Sequence, residues 1–490
     1  MQVAALDVGT TRIKASIVDP HGKILKSVTG PTAEIRHPSQ GQMEVDAEEV
    51  YANASTLLKE LSKDLGGDDL IVSLSCMAPV LVVMGKSLKP LRPAILYNDL
   101  RTSQEVDELN TRIGLSRLLK INGNRANVQQ YAPKILWLRK HEPSLAANAH
   151  RFWDLASYIV WRLSGEEVID YSVAEEGGLL DYSRKQWSEE LLSFMELDHS
   201  KLPVLKPTSY YGEITGKEKS NLGLGRRAWV TVGCVDAIAT PLTLGLLGEG
   251  RLSIELGTTG IIYTASRMPK PDDRLYLDFS PIEGLYYIGG GTAASGICYN
   301  WMIQLLMNGR IDYDAANRLA STSSPGSKGV VILPYILGER TPVFDMLARA
   351  IIFGLTLDTK PADILHGTLE GIAYSLRHNM SVMLENGYLF EAGSISGGGA
   401  RDNLFRRIVC DVLNVPLSYN FRASTTVGAA YIGYMAAGLK KRWEEIQEWL
   451  TPEERITPDP SLKQMYDRLF SIYVNLYEKH KDDFKTITES

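Results

Sequence analysis

Val3-Ala4-Ala5-Leu6-Asp7-Val8-Gly9-Thr10-Thr11-Arg12-Ile13-Lys14 is the stretch that decides the architecture of this chain. Val3 to Leu6 is a short apolar run, Asp7 to Thr11 has the residues of a turn, and Ile13 to Val18 alternates again. Asp19-Pro20-His21-Gly22 makes a second turn, and Lys23 to Val28 a third strand. Tight turns between consecutive strands predict antiparallel pairing, which is not how a Rossmann unit begins. Asp46 is placed to cap a helix over 47–65, and Leu70 to Leu74 reads as a buried strand. Far downstream, Leu252-Ser253-Ile254-Glu255-Leu256-Gly257-Thr258-Thr259-Gly260-Ile261-Ile262-Tyr263 repeats strand, acidic residue, Gly-Thr-Thr turn and strand. Gly-Thr turns are common enough to coincide, but the shared acidic position and flanking strands favour duplication. The expected fold is α/β, with two similar domains each presenting a hairpin tip to one cleft.

At 490 residues the chain exceeds what one hydrophobic core usually serves. Hydrophobic residues at 44% and charged residues at 22% exclude a largely disordered chain, a collagen-like fibre and a coiled coil. Lys and Arg number 52 against 58 Asp and Glu, a net charge of -6 without a basic block, so no nucleic-acid partner is expected. Backbone N–H groups can still bind a phosphorylated small molecule. Cys76, Cys234, Cys298 and Cys410 are scattered, with neither a CxxC pair nor a zinc-spaced cluster. The start lacks the regions of a signal peptide, and no apolar run approaches the ~20 residues of a membrane span. A cytoplasmic protein with no membrane partner is the expectation. The stretch from about 106 to 201 looks helix-rich, with Trp137, Trp153, Trp161 and Trp187 as core or rim anchors. The tail from Trp443 to Ser490 reads as polar amphipathic helices broken at Pro452 and Pro458-Asp459-Pro460.

Four places could carry chemistry. In the first hairpin, Gly9 lets a ligand approach the backbone, Thr10 and Thr11 add hydroxyls, and Arg12 and Lys14 can neutralise phosphate. Asp7 is placed to hold Mg²⁺ directly or through water; alternatively, these side chains merely satisfy local backbone groups. In the second hairpin, Gly257, Thr258 and Thr259 complete a clamp, and Glu255 stands where Asp7 stands in the first. Asp236 is the one charge between Arg227 and Glu249, so it is a helix N-cap, a carboxylate exposed in a cleft, or both. Gly397-Gly398-Gly399, between a strand and a helix over 404–413, lets a flat ligand lie on bare backbone, and Asn403 opens that helix. Gly289-Gly290-Gly291 could line the same cleft. The Gly338-Glu339-Arg340-Thr341-Pro342 loop, with Asp345 and Arg349, is a polar segment that could contribute to the cleft or equally form an interdomain salt-bridge network, and it reads rather as structural.

In this order, DVGTT, Tyr97-Asn98-Asp99-Leu100-Arg101-Thr102, the 233–237 segment, ELGTTG, GERTP and SGGGARDN resemble the FGGY carbohydrate kinases, of the actin-like ATPase superfamily. The resemblance runs from Val3 to about Gly438 and lies nearest xylulokinase- and gluconokinase-like members. It implies two actin-like (ribonuclease H-like) domains with mixed sheets flanked by helices, and ATP and Mg²⁺ in the cleft between them. Residues 1–245 would form the first domain, with the helical insertion at about 106–201. Residues 246–440 would form the second, and 441–490 a helical tail packed on it. By position Asp236 resembles the catalytic base and Asp7 the metal carboxylate. Thr10, Thr11, Arg12, Gly257, Thr258 and Thr259 resemble phosphate contacts, and Gly397, Gly398, Gly399 and Asn403 the adenosine site. Met77, Ala78, Tyr97, Asn98, Asp99 and Asp236 would contact the substrate.

The implied reaction moves the γ-phosphoryl group of ATP to a hydroxyl of a small sugar, sugar acid or polyol, a pentulose or similar. Ala78 replaces the histidine of xylulokinase-like members, and the Arg-Glu pair of glycerol kinases is missing, which disfavours glycerol. Ser424-Thr425-Thr426 stands before Gly428-Ala429-Ala430, where the family often has a glutamate. A homodimer is a family-level expectation. An ordinary Asp pKa near ~4 suffices for the base, because the acceptor hydroxyl becomes acidic only late in transfer. The rival reading is a superfamily ATPase doing conformational or assembly work.

Overall fold

The computed structural model describes residues 1–63, 69–225 and 227–489. β1 (Gln2–Val8), β2 (Arg12–Val18) and β3 (Ile24–Pro31) form the expected antiparallel meander. α1 (Ala47–Ser62) starts at Asp46, whose carboxylate accepts the backbone N–H groups of Glu48 and Glu49. The expected extension of this helix to Leu65 lies outside the described residues. β4 (Leu70–Cys76) runs parallel to β1 and is buried at every position, as its nearly unbroken apolar run requires. β5 (Tyr211–Glu213) and β6 (Ala228–Thr231) complete the order β5-β6-β4-β1-β2-β3, and Cys234–Val235 adds briefly to β4. The segment between β4 and β5 mixes helices with short strands and includes α2 (Tyr171–Glu176). Trp153 and Trp187 are buried, while Trp137 and Trp161 pack at the core's edge.

α3 (Asp236–Thr243) then leads to a second sheet. Its strands are β7 (Arg251–Leu256), β8 (Gly260–Ser266), β9 (Tyr276–Phe279), β10 (Tyr286–Thr292), β11 (Ala392–Ser396), β12 (Leu417–Tyr419) and β13 (Glu454–Ile456). They lie in the order β9-β10-β8-β7-β11-β12-β13. With the edge strand β9 set aside, both sheets run meander, two parallel strands, then one antiparallel edge strand. The duplication heard in two Gly-Thr-Thr turns is thus a duplication of topology. The second half's helices are α4 (Gly296–Leu306), α5 (Tyr313–Ala320), α6 (Pro361–Glu385), α7 (Asn403–Leu413) and α8 (Thr425–Ala436), followed by α9 (Lys463–Glu489). Among the described residues no helix is long and apolar enough to cross a membrane.

α8 joins the halves. Tyr434 donates its hydroxyl to the Val18 carbonyl at 2.7 Å, and Ser73 donates to that of Ala429. α8 crosses α3 so closely that a Cβ on Gly428 would sit 2.2 Å from the Ala239 carbonyl oxygen. Gly428→Ala must therefore push the two helices apart, at about 1–3 kcal/mol for overpacking. Thermal denaturation should show a Tm several degrees lower; a shift within about 1 °C would mean the crossing is looser than the geometry states. In the tail, Tyr466 of α9 donates to Glu370 of α6 at 3.0 Å, while Trp449 donates to the Pro20 carbonyl at 2.9 Å. The tail therefore touches both halves rather than the second alone.

Candidate active site

Three carboxylates converge at the strand ends. The parallel register of β1 and β4 sets Asp7 opposite Ser75, whose hydroxyl donates to Asp7 Oδ1 at 2.9 Å. Cys234–Val235 pairs with Ser75–Cys76 on the other side of β4, so Asp236 emerges beside the same strand end. Asp236 is the first residue of α3 and Val235 takes the N-cap position, so the side-chain cap allowed by the sequence does not form. The Asp236 carboxylate instead accepts the backbone N–H groups of Ala237 and of Asp236 itself. Glu255, on β7, reaches it from the second half and is hydrogen-bonded by Thr240 of α3.

Burial pushes the Asp236 carboxyl up to about 7, with Asp7 and Glu255 adding to the rise. Burial also raises Asp7, opposed by the Ser75 hydroxyl and Lys14, and raises Glu255, with Asp7 contributing. An ordinary aspartate value would suffice for a base, and the Asp236 carboxyl lies above it. Desolvation and two like charges disfavour the ionised form of Asp236, and it forms no ion pair with a cation among the described residues.

The hairpin tips flank these carboxylates. Gly9 N–H closes the first turn on the Arg12 carbonyl at 3.0 Å, and Thr10 Oγ1 lies 3.3 Å from the Tyr97 hydroxyl. Thr11 and Arg12 are exposed at the tip. Gly257 N–H closes the second turn on the Thr259 carbonyl at 2.9 Å. The carbonyls of Gly257 and Thr258 accept the N–H groups of Ser295, Gly296 and Ile297, which ties this tip to the start of α4. The Thr258 side chain is exposed.

β11 pairs with β7, Ser396 opposite Glu255, and so delivers the three glycines beside the second hairpin. Gly397 has φ +99°, and a Cβ there would lie 2.5 Å from the Leu256 carbonyl oxygen. A Cβ on Gly398 would meet nothing within 4 Å, so that face of the turn stays open, while Gly399 packs on Leu256 and Phe405. Asn403 is exposed at the start of α7, after Asp402 has capped the helix through Phe405 N–H at 2.9 Å. It lines an open cleft of ≈ 730 Å³ together with Asn317 of α5.

A smaller cavity, ≈ 210 Å³, is lined by both halves and lies below the ~300–1,000 Å³ of drug-sized sites. Met77, Ala78, Tyr97, Asp236 and Thr259 line it. Asn98 and Asp99, expected at the substrate, do not. Asp99 is fully buried; both its oxygens take the Arg101 guanidinium at 2.8 Å, and Oδ2 also accepts Met43 N–H at 2.6 Å. Its lone pairs are consumed in bracing the loop against the first half. The side-chain oxygen of Asn98 is buried without a partner.

Sequence reading missed Asn124, Glu175, Glu176 and Asp278 and set Arg340 aside as structural, yet all five line the cavity. The adjacent acids in Val173-Ala174-Glu175-Glu176-Gly177 were a usable signal, since α2 is otherwise largely buried. The Arg340 loop is not the expected interdomain salt-bridge network. Glu339 accepts Thr292 Oγ1 and Ala293 N–H, both at 2.8 Å and within the second half, and Arg340 turns to the cavity. Gly290 permits this approach, because a Cβ there would lie 1.9 Å from Thr341 Oγ1.

A duplicated α/β fold with a carboxylate-lined cavity between its halves, and a Gly-Thr-Thr turn from each half, is that of a two-domain carbohydrate kinase. Residues 2–243 match the N-terminal domain of the FGGY family of carbohydrate kinases, and residues 252–437 its C-terminal domain. The chain belongs to that family, whose members phosphorylate sugars with ATP. It is 28% identical over 485 residues to the xylulose kinase of Staphylococcus xylosus, covering 97% of this chain and 99% of that one. It is 24% identical over 506 residues to the gluconokinase of Bacillus subtilis (strain 168), covering 99% and 97%. The structure of a xylulose kinase from Rhodospirillum rubrum superposes with a TM-score of 0.92 at 30% identity, covering 99% of this chain and 100% of that one.

Proposed function

We propose that this kinase transfers the γ-phosphoryl group of ATP to a hydroxyl of a small sugar, sugar acid or polyol of about pentulose size, with Asp236 as the general base. The observation that carries this reading is the Asp236 carboxylate at a cavity lined by both halves. In this reading residues 1–245 contribute the acceptor wall and first hairpin, and residues 246–440 the second hairpin and adenosine face. Phosphoryl transfer passes through a loose transition state, so the protein contributes mainly alignment and charge stabilisation. Asp236 orients the acceptor hydroxyl and receives its proton as the new O–P bond forms. The Thr10, Thr11, Thr258 and Thr259 turns offer N–H and hydroxyl donors to phosphate oxygens, with Arg12 beside them. Gly397, Gly398, Gly399 and Asn403 would carry the adenosine. Closing the halves on the acceptor excludes water and suppresses idle hydrolysis.

The acidic site also suits Mg²⁺. Asp7 and Glu255 raise the proton affinity of Asp236, and Asp7 that of Glu255, which a divalent cation would relieve. No group of three ligating side chains forms a cage among the described residues. That fits Mg²⁺, which usually takes one or two carboxylates plus water and phosphate oxygens. Asp7 would hold it, and when bound it would offset charge on the phosphate oxygens.

ADP release with Mg²⁺-ATP, measured across ketopentoses, polyols and sugar acids, tests the reading. One or more acceptors should raise turnover far above the no-acceptor rate; a rate that no acceptor changes would favour a conformational ATPase instead. A pH profile tests the base. Asp236 must be ionised to take the proton, and its raised value means that protonation sets in as pH falls through about 7. The ratio kcat/KM, which reports the free enzyme, should be level above that and fall about tenfold per unit below it. An acid limb near ~4 would assign the base to an unperturbed carboxylate instead.

A further inference from the structure

The loop that carries Arg340 is braced on the second half to either side of that residue. Glu339 Oε1 accepts the N–H groups of Ala293 at 2.8 Å and of Arg340 itself at 2.7 Å, and Oε2 accepts the Thr292 hydroxyl. Thr341 Oγ1 accepts Gly291 N–H at 2.7 Å, and the Thr341 carbonyl accepts the Asn379 amide at 3.0 Å. These bonds fix the loop and leave the guanidinium outside them. Arg340 is the one cation among the described residues lining the cavity, and its guanidinium makes no hydrogen bond or ion pair with a described residue.

The acids around it do not supply the missing partner. Glu175, from α2, and Asp278, from β9, are both buried and face each other, so they cannot both ionise and they share a proton. Burial raises the Glu176 carboxyl well above the ordinary glutamate range, Asp278, Asp236 and Asp154 add to the rise, and Arg340 only partly opposes it. Glu176 is therefore a neutral acid. Asp236 lies at the other end of the cavity. Glu255 reaches it from β7, whereas the Arg340 loop rests on β10, two strands away in the sheet and so roughly 10 Å across. The Arg340 end is closed by Tyr276 of β9, whose hydroxyl donates to Gln129 of the first half at 3.2 Å.

We propose that Arg340 gauges acceptor length, its guanidinium donating to the oxygens at the end of the acceptor remote from Asp236. A five- or six-carbon chain then spans the cavity, and a three-carbon polyol leaves Arg340 without a partner. This deepens the kinase reading and rests on it. A guanidinium presents five N–H donors in a fixed fork, and donors left unmade in a cavity cost free energy that a ligand's oxygens recover. Arg340 belongs to the second half and Asp236 to the first, so an acceptor long enough to touch both ties the halves together. Binding energy at the remote end is thereby used to hold the reacting hydroxyl on the base.

The test compares Arg340→Ala with the wild type by ADP release and product analysis. D-Xylulose, xylitol and D-gluconate serve as long acceptors and glycerol as the short one. For the best long acceptor kcat/KM should fall about 10–100-fold, the range for hydrogen bonds lost from a charged donor. For glycerol it should change little, so the preference for length collapses. Guanidinium ion, added below denaturing concentration, should restore part of the long-acceptor rate and leave the glycerol rate unchanged. ADP affinity and Tm should stay at wild-type values. Equal losses on long and short acceptors would overturn the proposal, as would a wild type that uses glycerol as well as any long acceptor. Weakened ADP binding would assign the guanidinium to the phosphates and overturn it too. Should the alanine variant fail to fold, Arg340→Lys keeps the charge without the fork and should show the same length-dependent loss at smaller size. If no acceptor raises ADP release in the wild type, the kinase reading itself fails, and the proposal falls with it.

Discussion

Asp236→Ala is expected to lower kcat by about 10²–10⁴-fold, the usual range for a lost general acid–base group. Nucleotide affinity should change little, because the turns expected to hold the phosphates and adenosine lie on other segments, and Asp236 lines the small cavity rather than the wider cleft beside Asn403. Steady-state kinetics with the best acceptor, paired with equilibrium titration of ADP, separates the two quantities. Asp236→Asn is the sharper variant, since it keeps the shape and the bonds to the α3 backbone while removing proton affinity. Both variants should lose the acid limb near pH 7. Loss of nucleotide binding with either would mean that Asp236 serves the phosphates instead of the acceptor.

Asp7→Asn should lower kcat by about 100-fold or more, the loss expected when a cation's several kcal/mol of charge stabilisation is misplaced. The amide can still accept the Ser75 hydroxyl, so the β1–β4 strand end should keep its structure. Half-maximal activity should then require more Mg²⁺. The residual activity should also keep its plateau to lower pH, because one of the two negative neighbours that raise Asp236 has gone. Unchanged kcat and Mg²⁺ dependence would remove Asp7 from the metal site. The two variants are distinguishable: Asp236→Asn should abolish the acid limb, and Asp7→Asn should only displace it.

What the chain states locally survived folding well. The three-strand meander, the Asp46 cap, the buried β4 strand and the second Gly-Thr-Thr hairpin all depend on residues within a few positions of each other. Turn chemistry, capping and apolar periodicity act over that range, so the linear sequence carries them. The parallel pairings β1–β4 and β7–β11 are not local, yet two similar strand–turn–strand patterns already implied a duplicated sheet.

Tertiary structure alone decided which polar groups meet. Asp99 and Asp236 are both acids beside apolar runs, but Asp99 falls within reach of Arg101 and Met43 N–H and is spent there. Asp236 finds only backbone donors and two further carboxylates, so its proton affinity rises. Glu175 and Asp278 are 103 positions apart and become a pair only when α2 and β9 close on one cavity. Arg340 faces that cavity because Gly290 lets the Thr341 loop approach β10. A carboxylate's charge state depends on its solvent exposure and its nearest charges, and long-range packing sets both. The sequence could therefore name the residues able to do chemistry, and only the fold determined which of them face the acceptor.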